Sequence, residues 1–508
     1  MSWHLMIEPF VFPAYERFVN RGADLARLDD WWNGDEKNAL ALYGRRRVGK
    51  SWLFRRFAHG KRALLLVADR RAEAPQLERF ADHLAEPLGV RPSLPDLPAL
   101  IAALYRLAAE QKLLVVIDEF PYLLPARETE RLGTLTAIQA VMEERDASQL
   151  KLVLCGSYIT QMERLLKGPL RGRLTPLHIE PLGFADAQQF AQDQPDATVR
   201  VERYAVSGGM ALYLDELSRG RLSERICSRV LDPRGPLFND PREVLEEELR
   251  SPGVYYSLLE ELATGKKSLG DLGTALGRKT TDLQGYLDTL RDMRVVDRSA
   301  PVTARDNTRD HRYRLADDYL RFWFRFVFPF QDDLKTGLAT NALWRDEIAP
   351  ALADHVSPAF EALCREWVLR CGFATRVGAW WGNALNDHRR SGARQTEEID
   401  IVGLSRSKVA VAGECKWTNA PLGLDVLRNL ETFKLPALRQ AKVQIASGLK
   451  ILLFSKSGFA DDLITATAAR DDLQLISVGE VTAFLIAGRY ADVAPLGSKA
   501  NAQRRSLQ

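Results

Sequence analysis

The chain has 508 residues, of which 46% are hydrophobic and 27% charged, a globular composition with room for about three domains of roughly 150 residues and a large core. Seventy basic residues against 67 acidic ones leave a net charge of +3, too balanced to argue for nucleic acid by itself, so any basic surface must be local. Five cysteines (Cys155, Cys227, Cys364, Cys371, Cys415) form no C-x-x-C pair, which fits a reducing cytosol better than a disulfide framework or a zinc site. The opening MSWHLMIEPFVFP has an acid and a proline where a signal peptide needs a long apolar region. No stretch reaches the ~18 uncharged apolar residues of a membrane helix. The expected location is therefore cytoplasmic, with no membrane partner.

In chain order, residues 38–43, 63–68, 113–117 and 151–155 are continuous apolar runs of strand length. Helical patterns lie between them, at 52–58, 97–110 and 133–144. Strands alternating with helices predict a parallel α/β sheet that closes near residue 185. Residues 186–240 read as helical, with a break at Gly208-Gly209. The segments 268–276 and 280–290, joined by Gly277-Arg278-Lys279, have helix-turn-helix spacing, and MRVVDRSAP supplies a wing strand. The aromatic run 319–330 (YLRFWFRFVFPF) carries Arg321, Arg325 and Pro329 and reads as a core-facing or interface segment. A second α/β pattern follows: a helix at 357–370, strands at 373–378, 398–404, 408–416, 450–454 and 473–478, and helices at 424–434 and 459–470.

The first run ends in Gly44-Arg45-Arg46-Arg47-Val48-Gly49-Lys50-Ser51, which fits G-x-x-x-x-G-K-[ST]. Glycines let backbone N–H groups approach phosphate oxygens, Lys50 reaches the β- and γ-phosphates, and the Ser51 hydroxyl is a ligand for Mg²⁺. The helix that begins there adds its N-terminus as an anion site. The third run, LLVVIDEF, ends in Asp118 and Glu119; in such a site the first acid helps hold Mg²⁺ and the second polarises the attacking water. KLVLCGS ends at Ser157, either a γ-phosphate sensor or a turn serine. Arg173, in Arg171-Gly172-Arg173, is either a cation for the transferring phosphate or a solvated loop residue.

These residues resemble the archaeal-type P-loop ATPases, an AAA-like group related to the signal-transduction ATPases with numerous domains. The resemblance rests on Phe18, Arg21, Asp24 and Leu25 before the arginine-rich phosphate loop, on VIDEF, Gly156-Ser157 and Gly172-Arg173, and on Gly208-Gly209 followed by Tyr213-Leu214. Ala211 stands where the family often has proline, and Ser51 where it more often has threonine; the hydroxyl is kept. The resemblance implies ATP and Mg²⁺ as cofactors. An arginine acting in trans would require a homo-oligomer.

Near the other end, EEIDIV (397–402) and AVAGECKW (410–417) raise a second question. Asp400 lies between Ile399 and Ile401, and a lone carboxylate in a strand is costly to bury unless it is paired or binds a metal. Adjacent antiparallel strands joined by a Ser-Arg-Ser turn would bring Asp400 beside Glu414, and Lys416, two residues on, faces the same side. Two acids holding Mg²⁺ and a lysine orienting water suit phosphodiester hydrolysis. Asp400-x(13)-Glu414-x-Lys416, with Glu361 on the preceding helix, resembles the restriction-endonuclease-like nucleases, the PD-(D/E)xK group. Residues 313–327, 377–381, EEIDIVGL and GECKW together resemble the C-terminal domain commonly fused to archaeal-type ATPases. The resemblance implies Asp400, Glu414 and Lys416 as catalytic, with Glu361, Asp400 and Glu414 as metal ligands and DNA as partner. A domain that binds without cutting stays open beside it, as does a helix-turn-helix that packs internally rather than on DNA.

The expected fold class is thus α/β in several parts. A P-loop NTPase core with a parallel sheet spans 1–185, followed by a helical lid over 186–240 and a winged helix-turn-helix over 241–300. A linker over 301–356 leads to a C-terminal restriction-endonuclease-like α/β domain over 357–480 and a flexible tail over 481–508.

Overall fold

The computed structural model describes residues 18–488 apart from 35–36, 145–147, 192–193, 250, 306–307, 309, 387–394 and 469. Two compact units emerge: Met1–Pro181 with Met210–Leu212, and Leu182–Gly209 with Tyr213–Gln508.

The first unit is built on β1 (Ala39–Tyr43), β2 (Ala63–Val67), β3 (Leu113–Asp118), β4 (Leu150–Gly156) and β5 (Leu174–His178). They pair in the order β2-β3-β4-β1-β5, all parallel. Such a sheet is covered on both faces, so its inner strands are mostly apolar, with Lys151 in β4 and Asp118 at the end of β3 as charged exceptions; every residue of β1 and β4 is buried. The edge strand β5 is not legible in the sequence. It is short and contains Pro176, which an edge tolerates because it has one side without a ladder. Because all strands run the same way, β1, β3 and β4 end together, which collects the phosphate loop, Asp118-Glu119 and Ser157 at one edge.

The second unit contains two sheets. Residues 253–315 form a helix, β6 (Lys267–Ser268), the helices Leu269–Leu276 and Thr280–Asp292, then β7 (Val296–Ser299) and β8 (Arg312–Leu315). The helix Leu269–Leu276 starts at a Ser268/Asp271 capping box and stops at Gly277, whose φ of 60° suits glycine. The three strands pair antiparallel in the order β6-β8-β7. The larger sheet, β13-β12-β11-β10-β9, comprises β9 (Arg376–Asn383), β10 (Thr396–Ser405), β11 (Lys408–Lys416), β12 (Ile445–Ser455) and β13 (Leu473–Ser477). β9, β10 and β11 are antiparallel neighbours; β11, β12 and β13 are parallel.

Three expected boundaries are corrected by packing. The stretch 301–356 is not a linker: it contributes β8, the middle strand of the small sheet, and the helix Asp318–Phe326, whose Tyr319, Phe322, Trp323 and Phe324 are fully buried. Burial of this much aromatic surface is why the run is helical and interior. The stretch 186–240 is not a separate lid, because Val201 and Ala205 share one core with Val356, Phe360, Leu363, Ile401 and Val411. The tail 481–508 begins inside a helix, Val478–Ala487, capped by Ser477 and Glu480 and anchored by buried Val481 and Leu485; the rest of that expected tail lies outside the described residues. Among the described residues, no helix is long and apolar enough to cross a membrane.

The two sheets of the second unit are fastened together. Lys266 pairs with Glu398 at 3.3 Å and Glu361 at 3.6 Å; Arg312 pairs with Glu398 at 2.7 Å and lies over the Trp381 ring. The Val302 N–H donates to the Ala379 carbonyl of β9 at 2.9 Å.

Trp323 is fully buried and its indole N–H donates to the Phe238 carbonyl at 2.8 Å. Trp323→Ala is expected to destabilise the second unit by about 3–5 kcal/mol, read as a lowered midpoint in urea unfolding followed by tryptophan fluorescence and circular dichroism.

Candidate functional site

The phosphate loop is held from beneath by Arg21, which is only 9% exposed. Its guanidinium donates to the Val48 carbonyl at 2.8 Å and to the Glu180 carbonyl at 2.7 Å, and pairs with Asp24 at 3.4 Å. Two glycines are dictated by geometry. A Cβ on Gly44 would stand 2.3 Å from the Ile179 carbonyl oxygen, and Gly49 has a φ of 101°. Arg47 also adopts a positive φ, 67°, and its carbonyl accepts from the Leu212 N–H at 3.3 Å, which brings the segment after Gly208-Gly209 onto the loop.

Lys50 opens the helix Lys50–Ala58 and is buried, with its ammonium donating to the carbonyls of Gly44 (2.8 Å) and Arg45 (3.1 Å). Burial lowers its pKa, opposed by the neighbouring Glu119 and Asp118. Burial raises the Asp118 pKa, and the Lys50 charge works against that rise. Glu119 sits in a left-handed conformation (φ 53°) and is engaged by Ser157: the hydroxyl donates to one carboxylate oxygen at 2.6 Å and the N–H to the other at 3.2 Å. Arg46, Arg47, Gly49, Lys50, Ser51, Trp52, Asp118, Glu119, Ser157, Ala211 and Leu212 line one cavity of about 230 Å³. Ser51 and Asp118 face it together, a hydroxyl and a carboxylate that suit Mg²⁺ as a hard cation. Residues in a cavity with Lys50, Asp118 and Glu119 at the carboxyl edge of a parallel sheet can bind and hydrolyse a nucleoside triphosphate.

A second charged cluster lies on the larger sheet. The register of β10 against β11 pairs Ile401 with Gly413, which sets Asp400 opposite Glu414. Against β9, Asp400 and Ile401 together oppose Ala379 alone, a bulge in β10 that re-aims the side chains. That bulge explains how Ile399 and Ile401, two apart, enter different cores. Glu414 is almost wholly buried, at 1% side-chain exposure. Lys416 donates to it at 3.1 Å and to Asp400 at 3.4 Å, and Lys434 donates to its other oxygen at 2.7 Å. Burial, reinforced by Asp400, pushes the Glu414 pKa up to about 7 despite both lysines. Burial disfavours the Lys416 ammonium, yet Asp400 and Glu414 outweigh it and keep its pKa above the ordinary value.

Residues 18–217 match a family described as an ATPase domain predominantly from Archaea. The chain carries an archaeal-type ATPase domain. Residues 323–431 match a second family, described as "Archaea bacterial proteins of unknown function". The chain is 26% identical over 415 residues to an uncharacterized protein of Methanocaldococcus jannaschii, spanning 79% of this chain and 87% of that one. Over 45 residues it is 47% identical to an uncharacterized ATP-binding protein of the same organism, which is 9% of this chain and 76% of that one. The Walker-type ATPase of Pyrococcus abyssi aligns with 60% of this chain and 96% of its own at 18% identity and a TM-score of 0.46.

In the ATPase domain the structure brings together Lys50, Ser51, Asp118, Glu119 and Ser157, with Ser157 on Glu119. Arg173 is elsewhere: its guanidinium pairs with Glu143 at 2.5 Å and does not line the cavity. In the second unit Asp400, Glu414 and Lys416 converge, but Glu361 does not join them as a third ligand. Its carboxylate is paired with Arg365 at 3.4 Å and Lys266 at 3.6 Å, cations supplied by its own helix and by the residue just before β6. Among the described residues no group of three or more His, Cys, Asp or Glu side chains is placed to hold a metal ion. Sequence reasoning missed Trp52, which faces the nucleotide cavity, and Lys434, which contacts Glu414 across 20 residues. Nothing local signals Lys434; its turn, Leu430–Lys434, is a π-helical insertion of the kind that recurs at functional sites.

Gly44→Ala is expected to abolish binding of a fluorescent ATP analogue in equilibrium titration while leaving the circular dichroism spectrum intact, because the loop must shift to clear the Ile179 carbonyl.

Proposed function

We propose that this protein is an ATP-driven switch coupled to a DNA-directed phosphodiesterase, with the two chemistries divided between the two units. The observation that carries the first half is the single cavity shared by Lys50, Ser51, Asp118, Glu119 and Ser157. On ATP binding, Lys50 exchanges the Gly44 and Arg45 carbonyls for the β- and γ-phosphate oxygens. Ser51 and Asp118 would hold Mg²⁺, which would neutralise charge on those phosphates. Glu119 leaves Ser157 and accepts a proton from the attacking water. The water oxygen bonds to the γ-phosphorus, the bond to the bridging oxygen breaks, and its electron pair leaves with ADP.

The second half rests on the pairing of Asp400 with Glu414 under a shared Lys416. Mg²⁺ keeps several waters and takes one or two carboxylates, so this pair fits it without Glu361. Bound there, the cation would lower the pKa of a water and offset charge on the phosphodiester. Lys416 orients the nucleophilic water against the backbone phosphate. The helices Leu269–Leu276 and Thr280–Asp292 with β6, β8 and β7 read as a winged helix, and exposed Arg278 and Lys279 offer it a DNA contact. Lys266, just before its sheet, and Arg312 in it are tied to Glu361 and to Glu398, the latter two residues from Asp400 in β10, a direct route from DNA binding to the second site.

One observation favours a second reading, a nuclease-like domain that grips DNA without cutting. Both Glu414 oxygens are already taken by lysines. The two readings separate in one assay: conversion of supercoiled plasmid with Mg²⁺ or Mn²⁺, with and without ATP. The proposal expects nicking by wild-type protein, loss on Glu414→Ala, and loss of any ATP dependence on Lys50→Ala. A gel shift that needs Arg278 and Lys279, with no nicking under any condition, establishes the second reading instead.

A further inference from the structure

An ATPase needs positive charge where the γ-phosphoryl group separates from ADP, and the expected source, Arg173, is committed to Glu143 away from the cavity. Another arginine is already inside. Arg46 lines the cavity with Lys50, Glu119 and Ser157. Its guanidinium donates to the Tyr122 hydroxyl at 3.2 Å and lies 5.8 Å from the centre of the Tyr158 ring. The two tyrosine hydroxyls are 2.9 Å apart, and Arg70 donates to Tyr122 at 3.4 Å.

These partners are not arbitrary surface residues. Tyr122 lies in the turn Phe120–Leu123 that follows Glu119, and its N–H donates to the Glu119 carbonyl at 3.0 Å. Tyr158 directly follows Ser157, which holds the Glu119 carboxylate. The phosphate loop, the end of β2, the end of β3 and the end of β4 therefore meet at one tyrosine hydroxyl. An arginine fixed at that meeting point is pre-organised: its side-chain freedom is restricted before substrate arrives, so less ordering remains to be done in the transition state.

We infer that Arg46 is a catalytic residue of ATP hydrolysis supplied in cis, contacting the γ-phosphoryl oxygens, and that Tyr122 is its positioning residue. The inference deepens the ATP-hydrolysis reading and rests on it. As the water–phosphorus bond forms, Glu119 takes the proton and the bridging electron pair passes to the β-phosphate of ADP; Arg46 stabilises the charge that develops on the transferring group. Hydrolysis then needs no arginine from a second copy of the chain.

The test measures ATP turnover together with equilibrium binding of a fluorescent ATP analogue for wild-type, Arg46→Ala, Arg46→Lys, Tyr122→Phe and Arg173→Ala proteins. Arg46→Ala should lower kcat on the order of 10²–10³-fold, as for loss of one transition-state donor, with nucleotide affinity changed less than ~5-fold. Arg46→Lys should restore part of kcat, and Tyr122→Phe should lower kcat with little change in KM. Arg173→Ala should turn over as wild type, at a specific activity independent of protein concentration. The inference is overturned if Arg46→Ala keeps kcat, or if Arg173→Ala is inactive and regains activity on mixing with Lys50→Ala protein, which would place the finger in trans. Absence of Lys50-dependent turnover in the wild type would instead overturn the ATP-hydrolysis reading itself, and this inference with it.

Discussion

Burying the Lys50 ammonium is the constraint on which the nucleotide site depends. A cation taken out of water is tolerated only where hydrogen bonds and counter-charges replace its hydration. Here the Gly44 and Arg45 carbonyls accept its protons while Asp118 and Glu119 supply the opposing charge. Those partners come from different strand ends, so the loop, the acids and the sheet must form together. Beneath the loop Arg21 obeys the same rule, its buried guanidinium satisfied by the Val48 and Glu180 carbonyls. The same close packing of backbone leaves no room for a Cβ at Gly44, which would stand 2.3 Å from the Ile179 carbonyl oxygen.

The second unit applies the same rule with the signs reversed. Glu414 is the buried charge, and two lysines from different elements answer it. Glu361, Glu398, Lys266 and Arg312 extend this into a network that spans the small sheet, a long helix and β10. In a network each member restricts the others, so a shift of one element changes the partners available to the rest. The small sheet and the larger sheet are joined by ion pairs and by the Val302–Ala379 backbone bond rather than merely adjacent.

What the sequence made legible follows from how local each constraint is. The phosphate loop could be read because phosphate contact demands glycine and lysine at fixed spacing on a strand–loop–helix unit. Asp400 and Glu414 could be paired because side chains alternate with period two and a short turn, with Arg406 and Ser407 both at positive φ, fixes the register. The features that escaped are set by packing at long range. Lys434 reaches Glu414 from a helix, Arg46 finds Tyr122 76 residues away, and Glu361 is claimed by cations that the E-x-K pattern does not mention. The aromatic helix at 318–326 shows the same limit: its interior character was readable, but not that the stretch around it completes a sheet and a core.

Glu119, held by Ser157 until nucleotide binds, is the proposed base of the ATP-hydrolysing site. The most direct measurement is phosphate release by Glu119→Gln protein alongside its affinity for ATP. The amide, which keeps the shape and cannot accept the proton, should retain nucleotide affinity and lose turnover by on the order of 10²-fold or more. Turnover at the wild-type rate would contradict it, and so would loss of nucleotide binding with the fold intact, because Glu119 would then belong to binding rather than to the chemical step.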